Sequence, residues 1–256
     1  MIKINGKSLV KGQINGKEVQ KIVINGNTVY NGKKPKNWSV IGSEVKYTAG
    51  TTTGVTYTTT ILANTKTVIC IGIYGRYYGS TTYYSDGTIN GSVTQQSQAL
   101  INNNTLLKAL NVTNYPLSSQ LQNTLYLTSA EACGQFNIFL NEELIRVAGV
   151  NNYYGTDKTF TRTVDPNYTY ILFVGGYYTS GFGNNSTFSA TVATDGTCDV
   201  IKNGVTMDNN ATSAGYVMGV KGYGYMIKGA TSVTVTVSRN NDNNNFKNQY
   251  LLIKLE

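Results

Sequence analysis

The residue types that carry acid–base, nucleophilic or metal chemistry are scarce in this chain, and one is missing. No His occurs among the 256 residues, against 21 Lys and Arg and 13 Asp and Glu. Without imidazole a Ser-His-Asp or Cys-His relay cannot be assembled, and the commonest zinc ligand is lost with it. Paired carboxylates are then the main hydrolytic option. Glu142 and Glu143 are adjacent; strand neighbours point to opposite faces, so the two do not converge on one substrate bond. Asp86 and Asp195 each precede a Gly and read as supports for tight reversals. Cys70, Cys133 and Cys198 are odd in number and widely spaced, the usage of reduced thiols folded in a cytosol, not of a disulfide framework. Cys70, inside Val68-Ile69-Cys70-Ile71, reads as a small buried hydrophobe. The Gly-rich piece at 219–224 lacks the following helix that would hold a phosphate. The Asn run at 240–245 offers Asp242 as its one carboxylate, too few for calcium, and reads as a solvated loop tip. The expectation is a non-enzymatic chain with no cofactor and no metal.

What remains is aromatic and cationic. Tyr77, Tyr78, Tyr83 and Tyr84 cluster with Gly and Ser, as do Tyr177 and Tyr178 further on. Tyrosine presents a flat apolar face plus a hydroxyl at low entropic cost, so these loops read as a possible ligand surface suited to sugars. Packing at strand ends or subunit contacts is the competing reading. The lysines are placed asymmetrically. Residues 1–36 hold Lys3, Lys7, Lys11, Lys17, Lys21, Lys33, Lys34 and Lys36 against Glu18 alone, a net +7 of the chain's +8. The near-neutral remainder argues against a nucleic-acid groove, which needs clustered cations.

The elements that position these residues are strands. Only 13% of residues are charged, and Asn, Thr, Gly and Tyr dominate, favouring strands and turns over helices. Ile4-Asn5-Gly6, Ile14-Asn15-Gly16 and Ile24-Asn25-Gly26 recur every ten residues. Asn-Gly is the preferred pair for a type I′ hairpin turn, so residues 1–32 predict a small three-repeat meander. So few apolar side chains cannot stabilise it alone, and it needs a partner: other copies of the chain or an acidic surface. Lys3, Lys7, Lys11, Lys17, Lys21, Val29 and Tyr30 are the candidate docking residues; the alternative is that the lysines only keep strand edges soluble. Residues 33–37 read as a linker. No apolar h-region or membrane-length run is present, so the expectation is a protein made in the cytosol, with no membrane partner.

The rest reads as one unit written twice, at 38–147 and 148–256. Asn64 aligns with Asn167 at an offset of 103, continuing through Val68-Ile69-Cys70-Ile71 against Ile171-Leu172-Phe173-Val174. Later the offset becomes 108, matching Leu125-Tyr126-Leu127 to Val233-Thr234-Val235 and Leu144-Ile145-Arg146-Val147 to Leu252-Ile253-Lys254-Leu255. Val233, Val235 and Val237 alternate with Thr234 and Thr236, the period of a half-buried strand. The unbroken runs at 68–71 and 171–174 predict central strands covered on both sides. Residues 105–110 are compatible with a short helix. The expected fold class is all-β: a hairpin or meander arm, then two tandem, duplicated antiparallel β-sandwich, jelly-roll-like domains.

The leader, with Ile-Asn-Gly-Lys and a following Val and its ending Val29-Tyr30-Asn31-Gly32, resembles leader segments of bacteriophage virion proteins, of the head-fibre, decoration or tail-appendage type. The resemblance implies a structural virion protein that docks through its arm onto other virion proteins, assembles with itself and decorates the particle or contacts the host surface; the alternative reading of the Tyr-rich loops is a carbohydrate-binding adhesin that takes host surface glycans. It carries over no functional residue.

Overall fold

The computed structural model describes side chains at residues 36–46, 55–72, 107–113, 115, 119–123, 134–176, 187–202, 222–239 and 247–256, with backbone pairing in the further strand residues given below. Every regular element among the described residues is a β-strand, and no helix is long and apolar enough to cross a membrane. The chain forms two compact units, Met1–Lys36 and Asn37–Glu256.

The first unit contains β1 (Lys3–Ile4), β2 (Lys7–Ser8), β3 (Gln13–Ile14), β4 (Lys17–Glu18), β5 (Lys21–Ile24) and β6 (Asn27–Asn31), paired as three separate antiparallel hairpins. Ile4 pairs with Lys7, Ile14 with Lys17 and Ile24 with Asn27. Each reversal is therefore closed over the two residues of one Asn-Gly pair, the loop length at which that dipeptide is most favourable.

In the second unit, the first half comprises β7 (Val40–Thr60), β8 (Thr67–Tyr77), β9 (Tyr83–Tyr84), β10 (Thr88–Ile89), β11 (Ser92–Val93), β12 (Gln96–Asn102), β13 (Thr105–Asn111) and β14 (Gln120–Leu140). The second half comprises β15 (Val147–Gly155), β16 (Thr159–Thr163), β17 (Thr169–Tyr178), β18 (Phe188–Thr194), β19 (Thr197–Ser213), β20 (Tyr216–Lys228), β21 (Ser232–Arg239) and β22 (Phe246–Leu255). There, one sheet runs β15-β22-β17-β20-β19 and a second runs β16-β21-β18, and the two face each other. In the first half β7 and β14 are 21 residues long and serve both layers. Their outer parts run in the order β7-β14-β8-β13-β12; the other part of β14 pairs with β7, β9 and β10 across a register irregularity between Tyr126 and Ala130. Both halves are antiparallel and sandwich-like.

Residues 105–110 form no helix: β13 lies between β8 and β12, with Leu107 and Ala109 on one face and Leu110 on the other. Leu-rich composition suits a helix locally, but a slot between two strands satisfies both edges of the segment and buries both faces. Tertiary pairing overrides propensity here. Glu142 and Glu143 also depart from expectation, sitting in the connection between β14 and β15 rather than on a strand. The valines of β21 behave as the alternation requires, with Val233, Val235 and Val237 buried.

Pairing corrects the internal alignment. Thr67 pairs with Leu140, and Thr169 with Leu255. On these anchors Ile69 corresponds to Ile171 and Ile71 to Phe173, one residue away from the sequence match. Phe136, Ile138 and Leu140 correspond to Leu251, Ile253 and Leu255. Leu144 and Ile145 lie beyond the matched strand. An apolar run tolerates such a slip by eye, whereas in a sheet one residue exchanges the two faces.

The corrected correspondence explains how the halves meet. Ile69, Ile71, Leu107, Ala109, Phe136, Ile138 and Leu140 of the first half share one core with Ile171, Phe173, Met226, Leu251, Ile253 and Leu255 of the second, closed by Trp38 and Leu144. Phe136 and Phe173 stand 6.3 Å apart, ring centre to ring centre. Edge strand β7 packs on β19 and the opposite edge, β12, on β15, with β8 over β17 in the middle. The two larger sheets therefore stack with their strand orders reversed.

Candidate functional site

Among the candidate docking residues, Lys3, Lys7, Lys17 and Lys21 lie on β1, β2, β4 and β5, and Val29 and Tyr30 on β6. Their side chains, and Lys11 altogether, lie outside the described residues. Of the tyrosines, Tyr77 ends β8 and pairs with Ala130, while Tyr83 and Tyr84 on β9 pair with Tyr126 and Leu125. One stretch of β14 therefore gathers all three. Tyr177 pairs with Val220 and Lys247, and Tyr178 with Phe246, at the end of β17. Tyr78, Asp86 and the Asn run 240–245, like the side chains of the other five candidate tyrosines and of Cys133, fall outside the described residues.

The tyrosines whose side chains are described in the second half are tied into the fold. Tyr223 donates to the Phe188 carbonyl at 2.9 Å, Tyr250 to the Asp157 carbonyl at 2.7 Å, and the Tyr170 hydroxyl accepts from the Asp165 amide at 2.9 Å. Phe160 stacks on Tyr250 with ring centres 5.0 Å apart. Burial raises the phenols of Tyr170, Tyr223 and Tyr250, and pushes that of Tyr225 up to about 12, so these groups stay protonated at neutral pH.

Asp195 ties two turns together. Its carboxylate accepts from the Thr231 amide at 2.9 Å, the Ser232 amide at 3.1 Å and the Thr231 hydroxyl, and these bonds hold its pKa down at about 2. Neighbouring Gly196 lies so close to the Lys228 carbonyl and the Ala230 amide that no side chain fits there. The Asp-Gly pair thus joins the β18–β19 turn to the β20–β21 turn.

The polar residues with the greatest departure from a simple core lie inside the first half. Lys108 on β13, Asn123, Gln135 and Asn137 on β14, and Thr59 on β7 are all buried. Lys108 Nζ donates to Asn123 Oδ1 at 2.8 Å, and Asn123 Nδ2 to the Cys70 sulfur at 3.5 Å. Gln135 Nε2 donates to Asn137 Oδ1 at 2.6 Å, and Asn137 Nδ2 to Thr59 Oγ1 at 2.8 Å. Thr59 Oγ1 in turn donates to Glu44 Oε2 at 2.7 Å. Glu44 is partly exposed on β7, where Lys46 meets its other oxygen at 2.5 Å, so it connects the cluster to solvent. Cys70 is a buried thiol, as its apolar run suggests, and burial raises its pKa to about 12. Gln135 Oε1 is buried with no hydrogen-bond partner.

The cluster escapes a reading of the sequence because its members alternate with apolar residues, as in Gln135-Phe136-Asn137-Ile138. That pattern normally marks a solvent face. Here the Phe136 face is covered by the second half and the Gln135 face by the first half's own second layer. The available signal was Lys108 amid Leu106, Leu107, Ala109 and Leu110. Among the described residues, no group of three or more Cys, Asp or Glu side chains is placed to hold a metal ion. Set against family models, curated proteins and solved structures, the chain matches none.

Proposed function

We propose that the chain is a structural, non-enzymatic protein of a bacteriophage particle, carried in the virion, which docks through residues 1–32 and displays a duplicated body as decoration or as a host-surface contact. The observation that carries this reading is the arm: a compact unit of its own, made of three short hairpins and rich in lysine. Hairpins of this size are marginal in water and gain stability by adding to a larger surface. Lys3, Lys7, Lys11, Lys17 and Lys21 suit an acidic acceptor on a neighbouring virion protein or another copy of the chain, with Val29 and Tyr30 as the apolar anchor. The body supports display. Numbered one to eight, the strands of the second half run 1-8-3-6-5 in its larger sheet and 2-7-4 in its smaller one, the order of a jelly roll with its fifth strand moved to the larger sheet. We read the halves as two copies of that unit. Jelly rolls occur in viral capsid and lectin domains, an analogy at the level of fold.

Deleting residues 1–32 is expected to leave the thermal melting of the body unchanged and to remove the protein from purified particles; particles that retain the truncated chain refute arm docking. Host contact through Tyr77, Tyr78, Tyr83, Tyr84, Tyr177 and Tyr178 is a second reading. It is favoured by the convergence of β8 and β9 on one stretch of β14. Glycan-array binding that disappears in Tyr77→Ala or Tyr78→Ala would support it.

A further inference from the structure

We propose that Lys108 and Asn123 form an intramolecular isopeptide bond, in which the Lys108 amine replaces the side-chain nitrogen of Asn123 and ties β13 to β14 across the interior of the first half. The two side chains are fully buried, and Lys108 Nζ already donates to Asn123 Oδ1 at 2.8 Å. With a C=O bond of about 1.2 Å, a donor so placed stands about 3–4 Å from the carbonyl carbon, a range that includes near-attack separations. The amide is also held the right way round. Asn123 Nδ2 donates to the Cys70 sulfur at 3.5 Å, which keeps Oδ1 turned to the lysine and the nitrogen to be expelled on the other branch of the amide. The Cys70 thiol, raised to about 12, stays protonated at neutral pH and does not compete as a nucleophile.

The step balances without an outside reagent. Lys108 Nζ gives up a proton and, as the free amine, forms a C–N bond to Asn123 Cγ, whose carbonyl electron pair moves onto Oδ1. When that pair returns, the C–Nδ2 bond breaks and its electrons leave with the nitrogen. The departing nitrogen collects a second proton from Nζ and the one first released, and leaves as ammonium. A lysine ammonium and a primary amide thus become a secondary amide and a free ammonium ion. A carboxylate is at hand for the proton in transit. Lys108, Cys70, Asn137 and Glu44 occupy one row across β13, β8, β14 and β7, and Lys108 and Glu44 both act electrostatically on the thiol that lies between them. The driving force is the charge itself, since a buried ammonium against a neutral amide is a costly contact and the product carries no charge there. The second half is the internal control. At the matched positions it carries Tyr225 and Val235, both in its apolar core, so the fold itself requires neither an amine nor an amide there. Until it reacts, the pair is held by the hydrogen bond alone, and the newly made chain is the state in which that contact's own contribution is read.

The test is mass spectrometry of the purified full-length chain, denatured and then digested with trypsin. Between Arg76 and Arg146 the sequence offers trypsin Lys108 alone, so a chain without the bond gives two peptides, 77–108 and 109–146, at full mass. The expected result is a single peptide 77–146, lighter by one ammonia, with fragmentation placing the cross-link between Lys108 and Asn123. Asn90-Gly91 lies in the same peptide and can lose ammonia by cyclising on its own backbone, so the uncut lysine and the mass loss must occur together. Lys108→Arg keeps the positive charge but has no nucleophilic amine, and Asn123→Val removes the carbon under attack. Each is expected to restore the two separate peptides and to lower the melting temperature, because nothing then closes the segment 108–123 in the unfolded chain. Two full-mass peptides from the unaltered chain, an uncut peptide at full mass, or a lighter uncut peptide that persists in either variant each overturns the proposal.

Discussion

Asp195 is fully exposed yet carries the most strongly depressed carboxyl among the described residues, because three donors from Thr231 and Ser232 converge on it. Its folded pKa of about 2 lies below the ordinary carboxyl value of 3.8, so the charged form is bound more tightly in the folded state. The stabilisation is therefore complete above about pH 4 and is lost as pH falls towards 2. In Asp195→Ala the urea midpoint is expected to drop at neutral pH and to depend less on pH across that window than in the unaltered chain. Lys108 poses the opposite problem, a cation with no exposure. Asn123→Val removes the acceptor at 2.8 Å and is expected to cost about 3 kcal/mol, while Lys108→Met combined with Asn123→Val should recover most of it. Additive losses in that cycle, measured by urea denaturation, would contradict the pairing. Cys70, with its thiol raised to about 12, should resist alkylation at pH 8 until the body unfolds, which mass spectrometry after pulse labelling can read.

At the scale of elements, the central strands show what patterning can and cannot convey. That 68–71 and 171–174 are covered on both faces was legible, because no polar residue interrupts either run. Their register was not, for the same reason: with both sides apolar, nothing in Val68-Ile69-Cys70-Ile71 distinguishes the face that meets the second half from the face that meets its own sandwich partner. Backbone pairing decides it. Gly224 is a consequence of that register. A Cβ there would lie 2.7 Å from a ring carbon of Phe136, so Gly224→Ala is expected to destabilise the body by about 1–3 kcal/mol through overpacking. Phe136→Ala should cost about 3–5 kcal/mol. A Phe136/Phe173 double-mutant cycle by chemical denaturation is expected to give coupling of about 0.5–1.5 kcal/mol beyond the single losses.

For the whole molecule, the shared core makes the two halves of residues 37–256 one thermodynamic unit, since each covers an apolar sheet face of the other. Heat or urea should unfold the body in one transition that tryptophan fluorescence, reporting Trp38 between the halves, and circular dichroism follow together. Two separated transitions would show that the interface is dispensable. Read alone, the residues determined the strand class, the three Asn-Gly reversals, the lysine-bearing leader, the absence of imidazole chemistry and the existence of a repeat, because each of these follows from residue type or from spacing along the chain. Tertiary structure decided which face of each apolar run is shared between the halves and gathered Lys108, Asn123, Gln135, Asn137 and Thr59 from three strands into one interior. Those outcomes depend on pairings between residues far apart in sequence, and a one-residue change of register, invisible in composition, exchanges inside and outside along an entire strand.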